Sequence, residues 1–233
     1  LTMMWKESKE LLSQRGCRAW IPPLFLVGIL GVYLPLQFGL QWLELSPIVV
    51  FVILWIPFFV IISFIGDAIA GERERHTLET LLASRISDRA ILLGKVIVTV
   101  GYAWGMALVS LVLGLVMVNL FPGYGSWTFY HPFDLFLEVL VVNLLCCILG
   151  TSAGVLISLR SPTVRQAQQI LGLGTLVLIF AGVLALQALP ADFLSSLSYS
   201  QTMFLFIAVL AVLDAILLGL SLASFRRSRL IVS

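Results

Sequence analysis

Six long apolar runs most constrain what this chain can fold into. Their approximate bounds are residues 20–40, 48–70, 96–120, 135–157, 170–188 and 203–222. Each run is close to the roughly 20 residues that an α-helix needs to cross the hydrocarbon core of a bilayer. Because 60% of the residues are hydrophobic and only 11% are charged, the composition excludes an ordinary soluble domain. We therefore predict an all-α membrane protein with six transmembrane helices, forming one bundle over residues 20–222.

The basic residues predict how these helices are oriented. All 14 Lys and Arg lie near the two ends of the chain and in the second and fourth gaps between runs. The first, third and fifth gaps contain none. Since cytoplasmic loops are enriched in Lys and Arg, both termini are predicted to be cytoplasmic. We expect a single multi-pass domain, residues 1–233, in the cell inner (plasma) membrane.

The three gaps without basic residues are predicted to face outward. They are QWLELSP, FPGYGSWTFYHPFD and LPADFLSSLSYSQ. Their Trp, Tyr, Pro and Gly are typical of interfacial belts and tight turns, and they leave no room for an external domain. The third could dip back into the membrane as a short helix, because DFLSSL is more apolar than a solvated loop needs to be.

One segment, GERERHTLETLLASRISDRAILLGK at residues 71–95, is the longest polar interruption and holds nine of the chain's 26 charged side chains. Leu78, Leu81 and Leu82 repeat at helical spacing after Thr77, a candidate N-cap. An isolated helix of about eight to ten residues is marginal in water. This leucine face must therefore rest on lipid or on another protein.

The charge of segment 71–95 helps to distinguish these two surroundings. Its five basic and four acidic residues leave a net charge of +1, whereas segments that bind lipid surfaces carry clustered positive charge. A protein partner is therefore favoured. The alternative is a solvated loop whose charges only enforce the membrane topology. Ser87 or Asp88 is a candidate cap for the helix that leads into the third run.

Segment 71–95 resembles the cytoplasmic segment between the second and third spans of type-2 ABC transporter permeases, the membrane subunits of ATP-driven exporters. The family pattern is an acidic and basic cluster, Gly-Thr, an acidic residue, paired leucines, Ser-Pro, and a basic residue before Gly-Lys. The matching positions are Glu72, Arg73, Glu74, Arg75, Thr77, Glu79, Leu81, Leu82, Ser84, Ser87, Arg89, Gly94 and Lys95. His76 and Arg85 stand where the family usually has Gly and Pro.

The resemblance implies that this segment is a coupling helix seated in a groove of a separate ATPase subunit. The implied docking residues are Glu72, Arg73, Glu74, Arg75, Thr77, Leu78, Glu79, Leu81, Leu82, Arg85, Ser87, Asp88 and Arg89. Two ATPase copies, which bind ATP and Mg, and two permease copies, expected to be a homodimer, would form the transporter. It would move an amphiphilic or lipid-like substrate out of the cytoplasm.

The chain begins and ends with segments predicted to lie at the inner surface of the membrane. Residues 1–18 are predicted to form an amphipathic interfacial helix, with Leu12 near its apolar side. The resemblance implies an elbow helix that also meets the ATPase through Trp5, Lys6, Lys9 and Glu10. The alternative is a basic leader that only sets topology. Residues 223–233, which include FRRSRL, are expected to be a cytoplasmic tail.

The sequence carries no signature of catalysis. RAILLGKV lacks the first Gly and the final Ser or Thr that a P-loop requires. His76 and His131 are solitary and predicted on opposite sides of the membrane, so no metal site is expected. We predict that the chain is not an enzyme, holds no cofactor itself and binds no nucleic acid.

Two carboxylates lie in or near the predicted spans. Asp214 is about midway along the sixth, where a charged carboxylate costs about 2.5 to 3.5 kcal/mol on insertion scales. A partner, a wet cavity or protonation is therefore expected there. Asp67 lies near the predicted inner end of the second run and is interpreted as an anchor or gate element. The resemblance places the second and fifth spans along the translocation path, with candidate residues Phe58, Ile62, Ile65, Asp67, Leu176, Phe180 and Asp214.

Several small or weakly polar residues are predicted to act in helix packing. The set comprises two candidate interhelical hydrogen-bond formers, Asn119 and Asn143, two cysteines, Cys146 and Cys147, and the glycine pairs Gly101 with Gly105 and Gly150 with Gly154. The adjacent cysteines point to different sides of a helix and form no metal or redox spacing.

Three other functions compete with the exporter. A haem-export type of permease shares the size and span count. An ion-coupled secondary carrier would use Asp214, although no convincing internal repeat supports it. A membrane scaffold without transport activity would use segment 71–95 only to recruit a partner.

Overall fold

The computed structural model describes residues 21–66, 71, 88–121, 127–188 and 199–224. Its helices are α1 (Ile21–Gly28), α2 (Leu34–Phe38), α3 (Leu40–Leu43), α4 (Pro47–Gly66), α5 (Asp88–Leu120), α6 (Phe133–Arg160), α7 (Val164–Ala188) and α8 (Tyr199–Ser224). A π-helical turn, Ile29–Tyr33, joins α1 to α2. Across these described ranges there is no β-strand, which confirms the predicted all-α class for them.

Several predicted elements lie outside the described residues. They are the amphipathic helix at residues 1–18, most of segment 71–95, and the tail beyond residue 224. The elbow contacts proposed for Trp5, Lys6, Lys9 and Glu10 therefore stay predictions.

Among the described residues, three helices are long and apolar enough to cross a membrane, namely Ala90–Leu120, Phe133–Arg160 and Met203–Ser224. Two shorter apolar helices, Leu24–Phe38 and Val49–Phe64, fall within the first two apolar runs. The fifth run is covered by α7. The chain is thus a multi-pass helical membrane protein, and the total of six spans stays a prediction.

The first apolar run is an interrupted helix rather than a single regular one. A Cβ added at Gly31 would lie 3.1 Å from Leu113 Cβ and 3.2 Å from the backbone of Ser110 on α5. A glycine is needed for so close an approach, and the π-helical turn falls at this contact. Helix α2 then stops at Gly39, whose φ of 54° and ψ of −128° suit glycine alone. The chain turns there into α3.

Helix α4 contains Pro57 in its interior. Proline has no N–H to donate to the carbonyl of Ile53, four residues earlier. Asn143 of α6 takes that place, with its Nδ2 donating to Ile53 O at 3.0 Å. Nearby, a Cβ on Gly150 would lie 3.1 Å from Ile61 Cδ1. The predicted interhelical hydrogen bond of Asn143 and the close contact at Gly150 are both confirmed.

Helix α6 is central to the described bundle, because it contacts α4, α5, α7 and α8. Buried apolar side chains form two groups. The inner cluster comprises Val60, Ile61, Phe64, Ile91, Leu92, Val96, Ala103, Cys147, Val155 and Leu171. The outer cluster comprises Trp42, Leu43, Leu45, Val49, Ile53, Leu111, Val118, Tyr130 and Val139. Helix α5 contributes to both, so it links the two ends of the bundle.

The remaining packing predictions concern the two adjacent cysteines and the first glycine pair. Cys146 and Cys147 are both buried and unbridged, and Cys147 belongs to the inner cluster, so their role as packing residues is confirmed. The spacing of Gly101 and Gly105 allows a close helix contact, but the described bundle does not use it, because no atom of a neighbouring described helix would lie within 4 Å of a Cβ at either glycine.

Candidate functional site

Of the predicted docking residues, the structure describes only the helical backbone at Asp88 and Arg89, where α5 begins. The helix that leads into the third run therefore begins inside segment 71–95, at one of the two predicted cap residues. Lys95, the last residue of the segment, is 3% exposed. A buried ammonium group is stable only when polar or charged groups compensate it. This end of the segment is therefore part of the packed bundle.

Asp214 lies about midway along α8 and is 4% exposed. Helix α8 packs mainly on α6. Cys146 of α6 is close enough to Asp214 to interact with it electrostatically. In the described part of the chain, neither carboxyl oxygen of Asp214 has a hydrogen-bond partner. Such a group is costly inside a membrane bundle and is commonly retained for a function. The sequence predicted a partner, a wet cavity or protonation for Asp214. Among the described residues, Asp214 has no hydrogen-bond partner.

The other described path candidates lie on α4 and α7. Phe58 and Ile62 of α4 are half-buried, whereas Leu176 and Phe180 of α7 are exposed. These two helices contact each other. The structure thus brings α4 and α7 together but leaves Asp214 on a different helix, which packs against α6.

Of the two remaining path candidates, Ile65 belongs to α4 and Asp67 follows the last residue of this helix in the chain. The side chain of Ile65 and the whole of Asp67 are outside the described residues. At this end Gln168 Nε2 of α7 donates to the carbonyl of Ser63 at 3.5 Å, a long contact. This contact places the start of α7 beside the C-terminal end of α4.

At the opposite end of the bundle, Tyr130 is the centre of a hydrogen-bond network that sequence reasoning missed. Its hydroxyl donates to Leu111 O at 2.8 Å and accepts from Trp42 Nε1 at 3.2 Å. Burial raises the pKa of the Tyr130 hydroxyl above its usual range, and the hydrogen bond from Trp42 lowers it by a smaller amount. The phenol therefore stays protonated at neutral pH and keeps its donor. The abundance of Trp and Tyr in the outer gaps was the available signal, but it indicated only an interfacial belt.

Asn119, near the end of α5, holds the segment that follows it. Its Nδ2 donates to Thr128 O at 2.9 Å and to Leu115 O at 2.8 Å. Its Oδ1 accepts from Thr128 N at 2.8 Å. The prediction that Asn119 bonds between helices is wrong, because its partners lie in its own helix and in the 127–132 segment. Asn119 thus ties the end of α5 to Thr128, which precedes α6.

The described residues offer no centre for metal chemistry. No group of three or more His, Cys, Asp or Glu side chains is placed to hold an ion among them. His131 is exposed, and its backbone N–H donates to Leu43 O at 2.9 Å. Its contribution here is structural, and it joins the outer connection to α3.

Comparison with known proteins identifies the kind of protein that this bundle forms. The family model described as ABC-2 family transporter protein matches residues 41–224, which include α4 to α8. No curated protein matches the chain. This family is the membrane-spanning component of ABC transporters and pairs with an ATP-binding subunit. The chain therefore belongs to the ABC-2 transporter family, as the membrane permease of an ABC transporter.

Proposed function

We propose that the chain is the permease of a dimeric ABC exporter, driven through segment 71–95. Two identical copies would pair with two copies of a separate ATPase, which binds ATP and Mg. ATP binding would draw the two docked segments together and open the bundle outward. The exporter would reside in the cell inner membrane with both termini of the permease in the cytoplasm.

The observation that carries this proposal is the continuity of α5. The helix runs without interruption for 33 residues, from Asp88 within segment 71–95 to Leu120. At 1.5 Å per residue it is about 50 Å long, which exceeds the roughly 30 Å hydrocarbon core of a bilayer. A displacement applied to its first turn would therefore move residues at the other side of the membrane.

Contacts along α5 supply the means of passing such a displacement on. At the inner end, Ile91 and Leu92 are fully buried against α4 in the inner cluster. At the outer end, a Cβ on Gly114 would lie 2.5 Å from Trp42 Nε1 and 3.1 Å from Pro35 Cγ. Close-packed interfaces of this kind respond to a push by moving together, because they have no free volume to absorb it. We infer that α5 is the coupling element.

The exposed side chains of α7 support an amphiphilic or lipid-like substrate. Leu173, Leu176, Val177 and Phe180 are all exposed large apolar residues. In a membrane this face suits acyl chains or a second apolar surface better than a bare ion. The same face carries two of the path residues proposed from the sequence.

An ion-coupled carrier is the second candidate function, and Asp214 is the observation that favours it. A buried carboxyl group without a hydrogen-bond partner in the described bundle is the kind of group that binds and releases a proton in carriers. The two functions differ in their energy source. Uptake into vesicles that contain the permease alone, with a proton gradient and no nucleotide, would indicate the carrier.

The docking proposal is tested by reversing charge on segment 71–95. Glu79→Lys or Arg89→Glu should release the ATPase in a pull-down while membrane insertion stays intact. Arg165→Glu is the matched control, because Arg165 is exposed near the start of α7, on the side of the membrane predicted to be cytoplasmic, and lies outside the segment. Undiminished binding by both docking variants would contradict the assignment.

Reconstitution tests transport coupling. ATP hydrolysis by the ATPase should rise when the permease is present in the same vesicles. A scaffold that only recruits the ATPase would leave hydrolysis at the level of the isolated subunit.

A further inference from the structure

A cavity of about 430 Å³ opens at the outer end of the bundle. Leu40, Leu43 and Glu44, from α3 and its C-terminal end, form one wall, and residues 128–131 form the other. Small-molecule sites commonly occupy 300 to 1,000 Å³. Neither the family match nor the coupling role of α5 assigns this cavity a function.

Hydrogen bonds fix both walls of the cavity before any ligand arrives. Tyr130 is held by Trp42 and Leu111, and its ring stacks on Phe136 with centroids 4.7 Å apart and planes 6° from parallel. The N–H of His131 donates to Leu43 O, which ties one wall directly to the other. A site built from ordered groups loses little conformational entropy on binding.

The chemistry of the walls selects the charge of the ligand. Glu44 is exposed, and it has no ion-pair partner in the described part of the chain. No Lys or Arg occurs in residues 19–72 or 96–159, which include every residue of both walls. A carboxylate without a competing Lys or Arg attracts positive charge and repels anions.

The apolar part of the cavity selects the type of cation. Phe129 is 70% exposed and lines the cavity together with Tyr130, Leu40 and Leu43. Aromatic faces bind ammonium groups, and more strongly where water is excluded. A metal ion is disfavoured, because no set of three ligating side chains exists among the described residues.

We propose that this outer cavity binds an organic ammonium ion, with the charge at Glu44 and the apolar body against Phe129 and Tyr130. The ammonium group could belong to a dissolved cation or to the ethanolamine headgroup of a membrane lipid. The proposal does not depend on the exporter function, since binding is measured without nucleotide and without transport.

The test is calorimetric titration of benzyltrimethylammonium into the full-length chain, purified in detergent with any subunits that accompany it. We expect saturable binding that Glu44→Gln weakens at least about tenfold, since loss of the carboxylate removes the attraction for the charge. Asp134→Asn is the matched control. Asp134 is another exposed carboxylate, three positions after His131 in the chain, and it does not line the cavity. The affinity of this variant for benzyltrimethylammonium should stay within about twofold of the wild-type affinity.

A second variant and a second ligand keep the test independent of any damage caused by one substitution. Phe129→Leu should also weaken binding, because it removes an aromatic face. Phenylacetate, which carries the opposite charge on a similar body, should not bind. Equal affinity of the wild type and Glu44→Gln, or binding of phenylacetate as strong as that of the cation, would overturn the proposal.

Nanodiscs distinguish the two sources of the ammonium group. If the headgroup of a lipid occupies the cavity, benzyltrimethylammonium binds more weakly in phosphatidylethanolamine discs than in phosphatidylglycerol discs after correction for binding to empty discs, and Glu44→Gln removes the difference. If dissolved cations are the ligand, affinity is the same in both and depends on Glu44. Absence of saturable binding in detergent and in both kinds of disc would contradict the proposal.

Discussion

The carbonyl of Ile53 has lost its helical donor to Pro57 and is bonded by Asn143 of α6 instead. Within a membrane, water cannot replace a missing hydrogen bond in the apolar core, so a neighbouring helix must do so. At the outer end, Trp42, Tyr130 and Leu111 form a comparable chain of bonds. Apolar packing brings these helices together, and such bonds fix how they are aligned.

Replacement of Asn143 by leucine should lower the stability of the bundle by about 1 to 3 kcal/mol, because it leaves a buried carbonyl unsatisfied. In a Pro57→Ala background the same replacement should cost less, since the introduced alanine restores the backbone N–H that bonds the carbonyl of Ile53. The measurement is thermal unfolding in detergent of the wild type, both single variants and the double variant. An equal loss in both backgrounds would show that Asn143 acts through some other contact.

Asp214 differs from Asn143, whose Nδ2 is bonded although its Oδ1 is not, because both oxygens of the buried Asp214 carboxyl group lack a hydrogen-bond partner in the described bundle. Asp214→Leu should raise the free energy of unfolding by about 1 to 3 kcal/mol, because the substitution removes the desolvation cost of the carboxyl group. Transport should fall at the same time. Asp214→Asn is the conservative comparison and should impair transport more than assembly. A variant that loses transport and assembly in parallel would make Asp214 a structural residue.

The sequence predicted part of this residue-scale picture. Asn143 could be identified as an interhelical donor because an amide in a predicted span needs a partner. Its acceptor could not be identified, since the pairing with Ile53 joins residues 90 positions apart. The Tyr130 network was missed for the same reason. Interfacial aromatic residues are common in membrane proteins, and only the fold shows which of them are buried.

At the scale of elements, α5 and the first apolar run show what a sequence pattern predicts and what it misses. A helix capped at Ser87 or Asp88 was expected to lead into the third run, and α5 begins at Asp88. The charged residues at the end of segment 71–95 therefore continue as helix. The first run was expected to form one transmembrane helix, but the approach of Gly31 to Ser110 accompanies a π-helical turn. That contact is not visible in local periodicity.

A break in α5 should uncouple the ATPase from the membrane domain. Ile97 is an exposed residue on α5, two positions beyond Lys95. Ile97→Pro would remove one helical hydrogen bond and kink the helix. We expect ATPase binding to persist in a pull-down, while the rise in ATP hydrolysis caused by the permease is lost.

Ile97→Ala is the control for the loss of the side chain, and it should keep normal hydrolysis. Full stimulation of hydrolysis by Ile97→Pro, in a correctly inserted complex, would contradict the role of α5 as the coupling element.

At the scale of the whole molecule, the described bundle is well packed in its centre and open at its margin. Helix α6 is covered by four neighbours, whereas the described side chains of α7 are buried only along a narrow strip that includes Ala167, Leu171 and Thr175. Fold class and membrane location could be predicted from the apolar runs because these follow from hydropathy alone. The arrangement around α6 could not, since all the runs are similarly apolar.

The open faces of α7 and α8 make the proposed dimer testable, because both expose apolar side chains and only one of them needs to face a second copy. The resemblance to type-2 permeases implies that the fifth span lies near the two-fold axis of the dimer. It therefore favours α7 as the helix that faces the second copy. Val177 on α7 and Val209 on α8 are both exposed, at 68% and 50%, and are suitable for a matched pair of cysteine substitutions. Cys17 would be replaced by serine to prevent unrelated bridges, while Cys146 and Cys147 are buried.

In native membranes, Val177→Cys should form a disulfide-linked dimer on mild oxidation, and Val209→Cys should stay monomeric. The reason is geometric, since a disulfide requires Cα atoms within about 7 Å of each other, which only a shared interface near a two-fold axis supplies. Addition of ATP with the ATPase present should change the yield if α7 moves with α5. Crosslinking at Val209 alone would place the interface on α8 and move the path proposed along α7 away from the two-fold axis.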